Sequence, residues 1–440
     1  MASVFVQADD FSGAAEVGAC FVRHGHTAQV LLGTSDDDVS TRGDVTDVVI
    51  TDTHSRGLPR SAAANAAAQA FSSPAATNAG MVFKKVDSLW RGNISAEIAA
   101  LSQLGYSVVV AGALPQLRRS VQHGKPFVDE FPLDRTDLWQ AEQGTPPSSV
   151  AELIRPQAPG SVHGIGLDQV RSQLLDAILT DVLDAESPSV AVADGMSVSD
   201  LENVVDAVIT LDFTCSDRRI ALVGTGGLAE VLAQRLATRN ARNAQSVATA
   251  KPSIPKRQEA PTPVLAVVGS ASPTAQSQLS ELAEDGFMVI RLDPRATGRY
   301  TSQLEEARHA LRATSNVAVT LQQADVDPGR AIGIVRAIAR FAADAARGLG
   351  PDLILTGGET AREVLDALGI RSMVPLAAVQ HGAVLGLAND GTLVGTKPGS
   401  FGDHQALSQL HHEIQQRRGR PAGVPPTPFA LRLPHNLEPT

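Results

Sequence analysis

Short apolar runs alternate with alanine- and leucine-rich stretches of helical spacing. The runs at 3–9 (SVFVQAD), 27–32 (TAQVLL), 47–52 (DVVITD), 80–87 (GMVFKKVD), 106–113 (YSVVVAGA), 189–195 (SVAVADG) and 219–226 (RIALVGTG) read as strands. Helical patterns such as RSAAANAAAQAFSS and ISAEIAALSQLG lie between several of them. Strand and helix in repetition predict a parallel sheet with helices on its faces. The rhythm stops at 239–262, a polar stretch with three prolines and no apolar period, which reads as a linker. It restarts with strands at 263–270, 287–293, 315–322, 351–358 and 373–387. A long helix is predicted over 329–350, where Ile332, Val335, Ile338, Ala339 and Ala342 keep helical spacing. From 417 the chain is proline-rich and reads as a loose tail. The expected fold class is α/β with two domains, 1–238 and 263–416, each a mainly parallel sheet flanked by helices.

Composition narrows the function classes. A net charge of −10 and an aromatic content of 4% speak against a nucleic-acid partner, which needs a basic face and stacking rings. No apolar run is long enough to span a membrane, and no signal peptide is evident at the N-terminus. Two cysteines, Cys20 and Cys215, give neither a disulfide framework nor a metal pair, so a cytoplasmic protein is expected. The eleven histidines form no HExxH pattern, and no metal ligands are assigned.

In open α/β sheets ligands sit at the carboxyl ends of strands, and the unusual residues gather there. Asp9 and Asp10 close the first strand. Asp is a good helix N-cap, but one cap leaves the second carboxylate free for a substrate hydroxyl, proton transfer or a metal. In 84–98, KKVDSLWRGNISAEI, the residues Lys84, Lys85, Asp87, Ser88 and Arg91 lie between a strand and a helix. That is either a solvated charge cluster or a carboxylate clamp. Arg119, in a loop read over 115–137, offers a second anion contact or a plain surface charge. The glycine turns around Gly226 and Gly227, Ser270, and Gly357 to Thr360 each follow a predicted strand, and Lys397 joins a further turn with Gly399 and Gly402. Any one is an ordinary loop. Three in the second domain suggest a polyanion held by backbone amides, with Glu359 reaching a ribose or a magnesium ion and Lys397 neutralising phosphate.

The motifs ADDFSGA (8–14), KKVDSLWRGN (84–93), GTGGLA (224–229), VVGSAS (267–272), LTGGETA (355–361) and TKPGSFGD (396–403) stand in the order seen in the four-carbon acid sugar kinases. The chain resembles that family over roughly residues 3 to 415. The resemblance implies an ATP-dependent kinase whose first domain binds the sugar acid and whose second binds the nucleotide, with the active site in the cleft between them. It implies phosphorylation of the 4-hydroxyl of threonate, erythronate or a 3-oxo-tetronate, with ATP and Mg2+ as cofactors. Carried over by motif, Asp10, Asp87, Ser88 and Arg91 fall at the acid site, and Ser270, Gly357, Gly358, Glu359, Thr360 and the glycines of KPGSFG contact ATP. Three departures, Phe11-Ser12, Leu89-Trp90 and Arg118-Arg119-Ser120, all lie in the acid-binding half and leave the acid unassigned.

The expected chemistry has Asp10 deprotonating the terminal hydroxyl, Arg91 and Arg119 holding the carboxylate, and Asp9 capping or steadying the turn. The rival readings are a non-catalytic sensor of sugar acids and a nicotinamide-dependent dehydrogenase. The second lacks GxGxxG, and the first has no need of three phosphate-type turns. The expected partners are a small sugar acid and ATP, with a homodimer left open.

Overall fold

The computed structural model describes residues 3–33, 46–139, 142, 144–158, 160–183, 188–214, 219–242, 262–269, 272–296, 300–322, 331–380, 382–399 and 402–419. Ser270, Cys215, most of the 239–262 linker and the tail beyond 419 lie outside them. Among the described residues, fifteen strands form one large sheet and three more a small separate one. The first eight of the large sheet are β1 (Val4–Ala8), β2 (Ala28–Leu32), β3 (Val48–Asp52), β4 (Met81–Lys85), β5 (Tyr106–Ala111), β9 (Val162–Ile165), β10 (Val190–Ala193) and β11 (Arg219–Gly224). They are all parallel, in the order β2-β3-β1-β4-β11-β5-β10-β9. The second half holds β12 (Val264–Val268), β13 (Met288–Leu292), β14 (Val317–Leu321), β15 (Asp352–Thr356), β16 (Ser372–Gln380), β17 (Ala383–Ala388) and β18 (Leu393–Lys397). Its order is β13-β14-β12-β15-β18-β17-β16, with every strand running the same way except β17, which is antiparallel to both β18 and β16. Helices cover both faces, so strands such as VFVQA and VLAVV are buried along their whole length and read as apolar runs, broken in the first by Gln7 alone.

Each half has one point where the strand order reverses. In the first it is β1, flanked by β3 and β4; in the second it is β12, flanked by β14 and β15. Crevices for ligands open at the carboxyl ends of such strands. The halves join where β16 pairs antiparallel with β2 through Ser372 to Leu31 and Met373 to Val30. The Phe11–Arg23 helix packs over this seam. No helix among the described residues is long and apolar enough to cross a membrane.

Several elements differ from the sequence expectation. The run at 373–387 is not one strand but the hairpin β16–β17, turning at Gly382 with φ +75°. β9 and β18 were not expected. Within 115–137, expected to be a loop, β6 (Arg119–Gln122), β7 (Lys125–Val128) and β8 (Phe131–Pro132) form a small antiparallel sheet. The Gly226–Arg242 helix continues past residue 238 into the expected linker.

Gly18 tests the seam. In a helix interior Ala is normally better than Gly by about 1 kcal/mol. Here a Cβ would stand 2.5 Å from Cγ of Pro375, on a strand that cannot withdraw. Overpacking costs about 1–3 kcal/mol, so the clash wins. Gly18→Ala should lower the denaturant midpoint; an increase would show the seam to be loosely packed.

Candidate active site

The reversal point of the first half carries Asp9 and Asp10. Asp10 is the N-cap of the Phe11–Arg23 helix, with extended backbone and its Oδ1 accepting from Gly13 N at 3.0 Å. Asp9 is the more deeply buried, at 1% exposure. The capping expectation is thus reversed: Asp10 caps, because it is the residue whose backbone stands just outside the helix, and Asp9 is the single residue between it and the last residue of β1, Ala8.

Both carboxylates converge on Arg56, which sequence reasoning missed. Its Nε and Nη2 donate to Asp9 Oδ2 and Oδ1 at 2.9 and 3.1 Å, while Nη1 and Nη2 donate to Asp10 Oδ2 and Oδ1 at 3.0 and 3.1 Å. The loop after β3 presents this arginine. Ser55 N and Arg56 N donate to the Asp9 carbonyl, and Asn93 Nδ2 donates to the carbonyls of Ser55 and Leu58. The only sequence signal was its position, in DTHSRG directly after a predicted strand.

The KKVDSLWRGN stretch is tied to the same centre. Arg56 Nη1 stands 3.9 Å from Asp87 Oδ1. Arg91 forks onto Asp87 with two bonds of 2.8 Å and also faces Glu142 at 3.5 Å, so its guanidinium is held by protein carboxylates. Arg119 donates to Ser88 Oγ. Lys85 pairs with Glu16 at 3.3 Å, and Lys84 is wholly buried against Glu97 at 2.9 Å. Gly226 backs onto the Glu16 carboxylate. Gly227 N donates to Thr225 Oγ1 at 3.2 Å within the same turn.

The second half brings its own strand ends to this centre. Gly357, with φ +83°, donates to the Lys397 carbonyl at 2.9 Å and starts the Gly358–Ala367 helix. A Cβ on Gly358 would lie 2.8 Å from Asp10 Oδ2 and 3.1 Å from Ser12 Oγ, so the backbone can approach the carboxylate only because the residue is glycine. Glu359 reaches towards Gly57 of the Arg56 loop, and Thr360 fills the space over Gly269. Lys397 is fully buried, its Nζ donating to the carbonyls of Pro398 and Gly399 at 2.9 and 3.1 Å. Gly402 sits further out, against Ala406, Gln380 and Gln278.

Burial and charge divide the two aspartates. Burial works against ionisation of Asp9, yet Arg56, Lys84 and Lys85 outweigh it and hold the carboxyl below its usual range. For Asp10, burial prevails over Arg56, and the neighbouring Asp9 adds to it, so its pKa is raised. Asp87 is buried too, but the bonds from Arg91 and the charge of Arg56 keep it well below the carboxylate range. Burial pushes Lys397 down to about 8.

These donors fit a nucleotide. Amides at the start of the Gly358–Ala367 helix favour phosphate, and Lys397 supplies a cation that a phosphate would relieve. Among the described residues no group of three or more carboxylates, histidines or cysteines converges to hold a metal. That suits a magnesium ion carried mainly by phosphate oxygens and water, with single carboxylates such as Asp10 or Glu359 from the protein.

Two reversal-point edges facing each other define the class: a two-half α/β protein that brings a polar small-molecule site against a phosphate-type site. A family model described as a sugar-binding N-terminal domain matches residues 4–232, and one described as a nucleotide-binding C-terminal domain matches 265–407. The chain is 31% identical over 438 residues to the D-threonate kinase of Cupriavidus necator, covering 94% of this chain and 99% of that protein. It is 29% identical over 435 residues to the D-threonate kinase of Salmonella typhimurium, covering 94% and 98%. A solved Salmonella typhimurium LT2 structure, described as a candidate tRNA synthase, matches with a TM-score of 0.74 at 22% identity over 93% of this chain and 99% of that one. That likeness is one of fold alone. The chain belongs to the four-carbon acid sugar kinase family.

Lys397 yields a pH prediction. Its folded pKa, about 8, lies below its ordinary 10.5, so between those values the unfolded chain binds more protons than the folded one. Stability therefore rises with pH across that window, by at most about 3 kcal/mol. Lys397→Met should flatten the stability profile between pH 8 and 10.5; an unchanged profile would assign the effect to another group.

Proposed function

We propose that this protein is an ATP-dependent kinase that phosphorylates the terminal, 4-hydroxyl of a four-carbon sugar acid such as threonate, erythronate or a 3-oxo-tetronate. The observation that carries the reading is the approach of Gly358 to Asp10, which sets a phosphate-type helix start against a carboxylate of raised pKa. The kinase names of the relatives point the same way.

Phosphoryl transfer needs an acceptor hydroxyl in line with the γ-phosphate, and charge neutralisation. Asp10 is the base. It takes the hydroxyl proton as the acceptor oxygen bonds to the γ-phosphorus and the bond to ADP breaks. Its raised pKa suits that task better than the depressed one of Asp9. Asp9 instead holds Arg56, and Arg56 keeps Asp10 oriented. Asp87 anchors Arg91, so Arg91 would meet the acid's carboxylate with its Nη1 edge, where Glu142 stands at 3.5 Å. Arg119 and Ser88 border the same space. Gly226 and Gly227 shape its wall from behind Glu16. Gly357 to Thr360, Ser270, Lys397, Gly399 and Gly402 form the nucleotide side. Magnesium, when bound with ATP, neutralises phosphate charge.

Asp10→Asn keeps an oxygen able to cap the helix and removes the base. It should lower kcat by about two to four orders of magnitude, while the acid's dissociation constant, by calorimetry, changes less than about threefold. Wild-type turnover in this variant would remove Asp10 from the base role. Thermal shift with ATP-Mg2+ checks the second half: saturating nucleotide should raise Tm, and no shift would overturn the nucleotide assignment.

A further inference from the structure

Arg362 and Asp52 form a buried ion pair that joins the halves beside the site. Arg362 Nη1 donates to Asp52 Oδ2 at 2.7 Å and to the Asp52 carbonyl at 3.3 Å, and its Nε donates to Asp366 at 3.0 Å. Asp52 is fully buried and Arg362 nearly so. Taking two charges out of water is expensive, and such pairs are poor evidence of a stability gain. What distinguishes this one is what it connects.

Asp52 is the last residue of β3, and its Oδ1 accepts from His54 N at 2.9 Å. His54 stands at φ +49° and opens the loop that ends in Arg56. A non-glycine residue there is strained and needs such a bond to hold it. Arg362 lies one turn beyond Gly358 on the helix whose first residues form the phosphate-type edge. A helix moves as a rigid rod, so a displacement of its first turn is delivered to Arg362, then to Asp52, then to the backbone that aims Arg56 at Asp9 and Asp10. The Asp52 charge also helps to raise the Asp10 pKa.

Resting on the nucleotide reading of the Gly357–Thr360 edge, we infer that the Arg362–Asp52 pair is a positioning bridge, which transmits nucleotide binding in the second half to the Arg56 loop in the first. Arg362 and Asp52 touch neither substrate in this assignment. They act through the 53–58 backbone.

The test is amide hydrogen exchange on the full chain, with and without saturating ADP and Mg2+. In the wild type, ADP should slow exchange both at 357–361 and in the 53–58 loop, the latter by about fivefold or more, the lower end of usual coupling. Arg362→Gln should leave protection at 357–361 and cut that at 53–58 to less than about twofold. Because this variant leaves Asp52 buried and unpaired, the double variant Asp52→Asn, Arg362→Gln, which keeps the site neutral, should behave alike. Arg362→Lys, which restores the charge, should recover part of the effect. Protection of 53–58 undiminished in folded variants would overturn the bridge and leave the nucleotide site standing. No protection at 357–361 in the wild type would instead remove the nucleotide reading, and the bridge with it.

Discussion

Two adjacent carboxylates at the end of a buried strand need a counter-charge, and Arg56 is the group that supplies it. A lysine would offer a point charge; the guanidinium offers a fork with donors for both acids at once. The site hangs on this arrangement, because Arg56 is held from behind by an unbroken polar chain. Gln7 donates to Thr53, Thr53 meets Ser55, Ser55 donates to Glu97, and Glu97 pairs with the buried Lys84. At its far end Gln7 Oε1 has no hydrogen-bond partner among the described residues, while the inner members bond to one another. This network turns the floor of the sheet into a rigid mount for a loop that would otherwise be free.

The mount explains how two aspartates one residue apart differ. Asp9 directly follows β1, receives two bonds from Arg56 and feels both lysines of β4. Asp10 has turned out of the strand to cap a helix, and it faces the glycine edge of the other half. Environment, not residue type, separates the pair into a carboxyl of lowered pKa and one of raised pKa. The same logic restrains Arg91, whose fork is already engaged by Asp87.

Much of the fold was legible, because buried parallel strands read as plain apolar runs and the alternation with helices is hard to mistake. The misses have local causes. β9 and β18 are short, and β18 begins only two residues after a turn at Asp390–Gly391. The β16–β17 hairpin hides in a mainly apolar run whose break is the short stretch Gln380, His381 and Gly382. In the site, Asp9, Asp10, Asp87, Arg91 and the Gly357–Thr360 turn were visible as strand-end residues. Arg56 was not, since its importance arises from the strand order β2-β3-β1-β4, which sets the end of β3 beside Asp9. Strand order is a long-range fact that no local pattern carries. Which aspartate caps was equally invisible, because capping is decided by one backbone angle at the strand's end.

The two fully buried lysines show how the halves divide the labour. Lys84 meets Glu97 and is neutralised within the protein. Lys397, at the same depth, is bonded among the described residues to the carbonyls of Pro398 and Gly399, and burial depresses its pKa. A chain selected for stability alone would place an apolar side chain there or give the ammonium a carboxylate. An uncompensated charge under a glycine turn makes sense where the compensation comes from outside, with a phosphate. The first half thus neutralises its buried lysine from within, and under the proposed function a bound phosphate would do the same for the second.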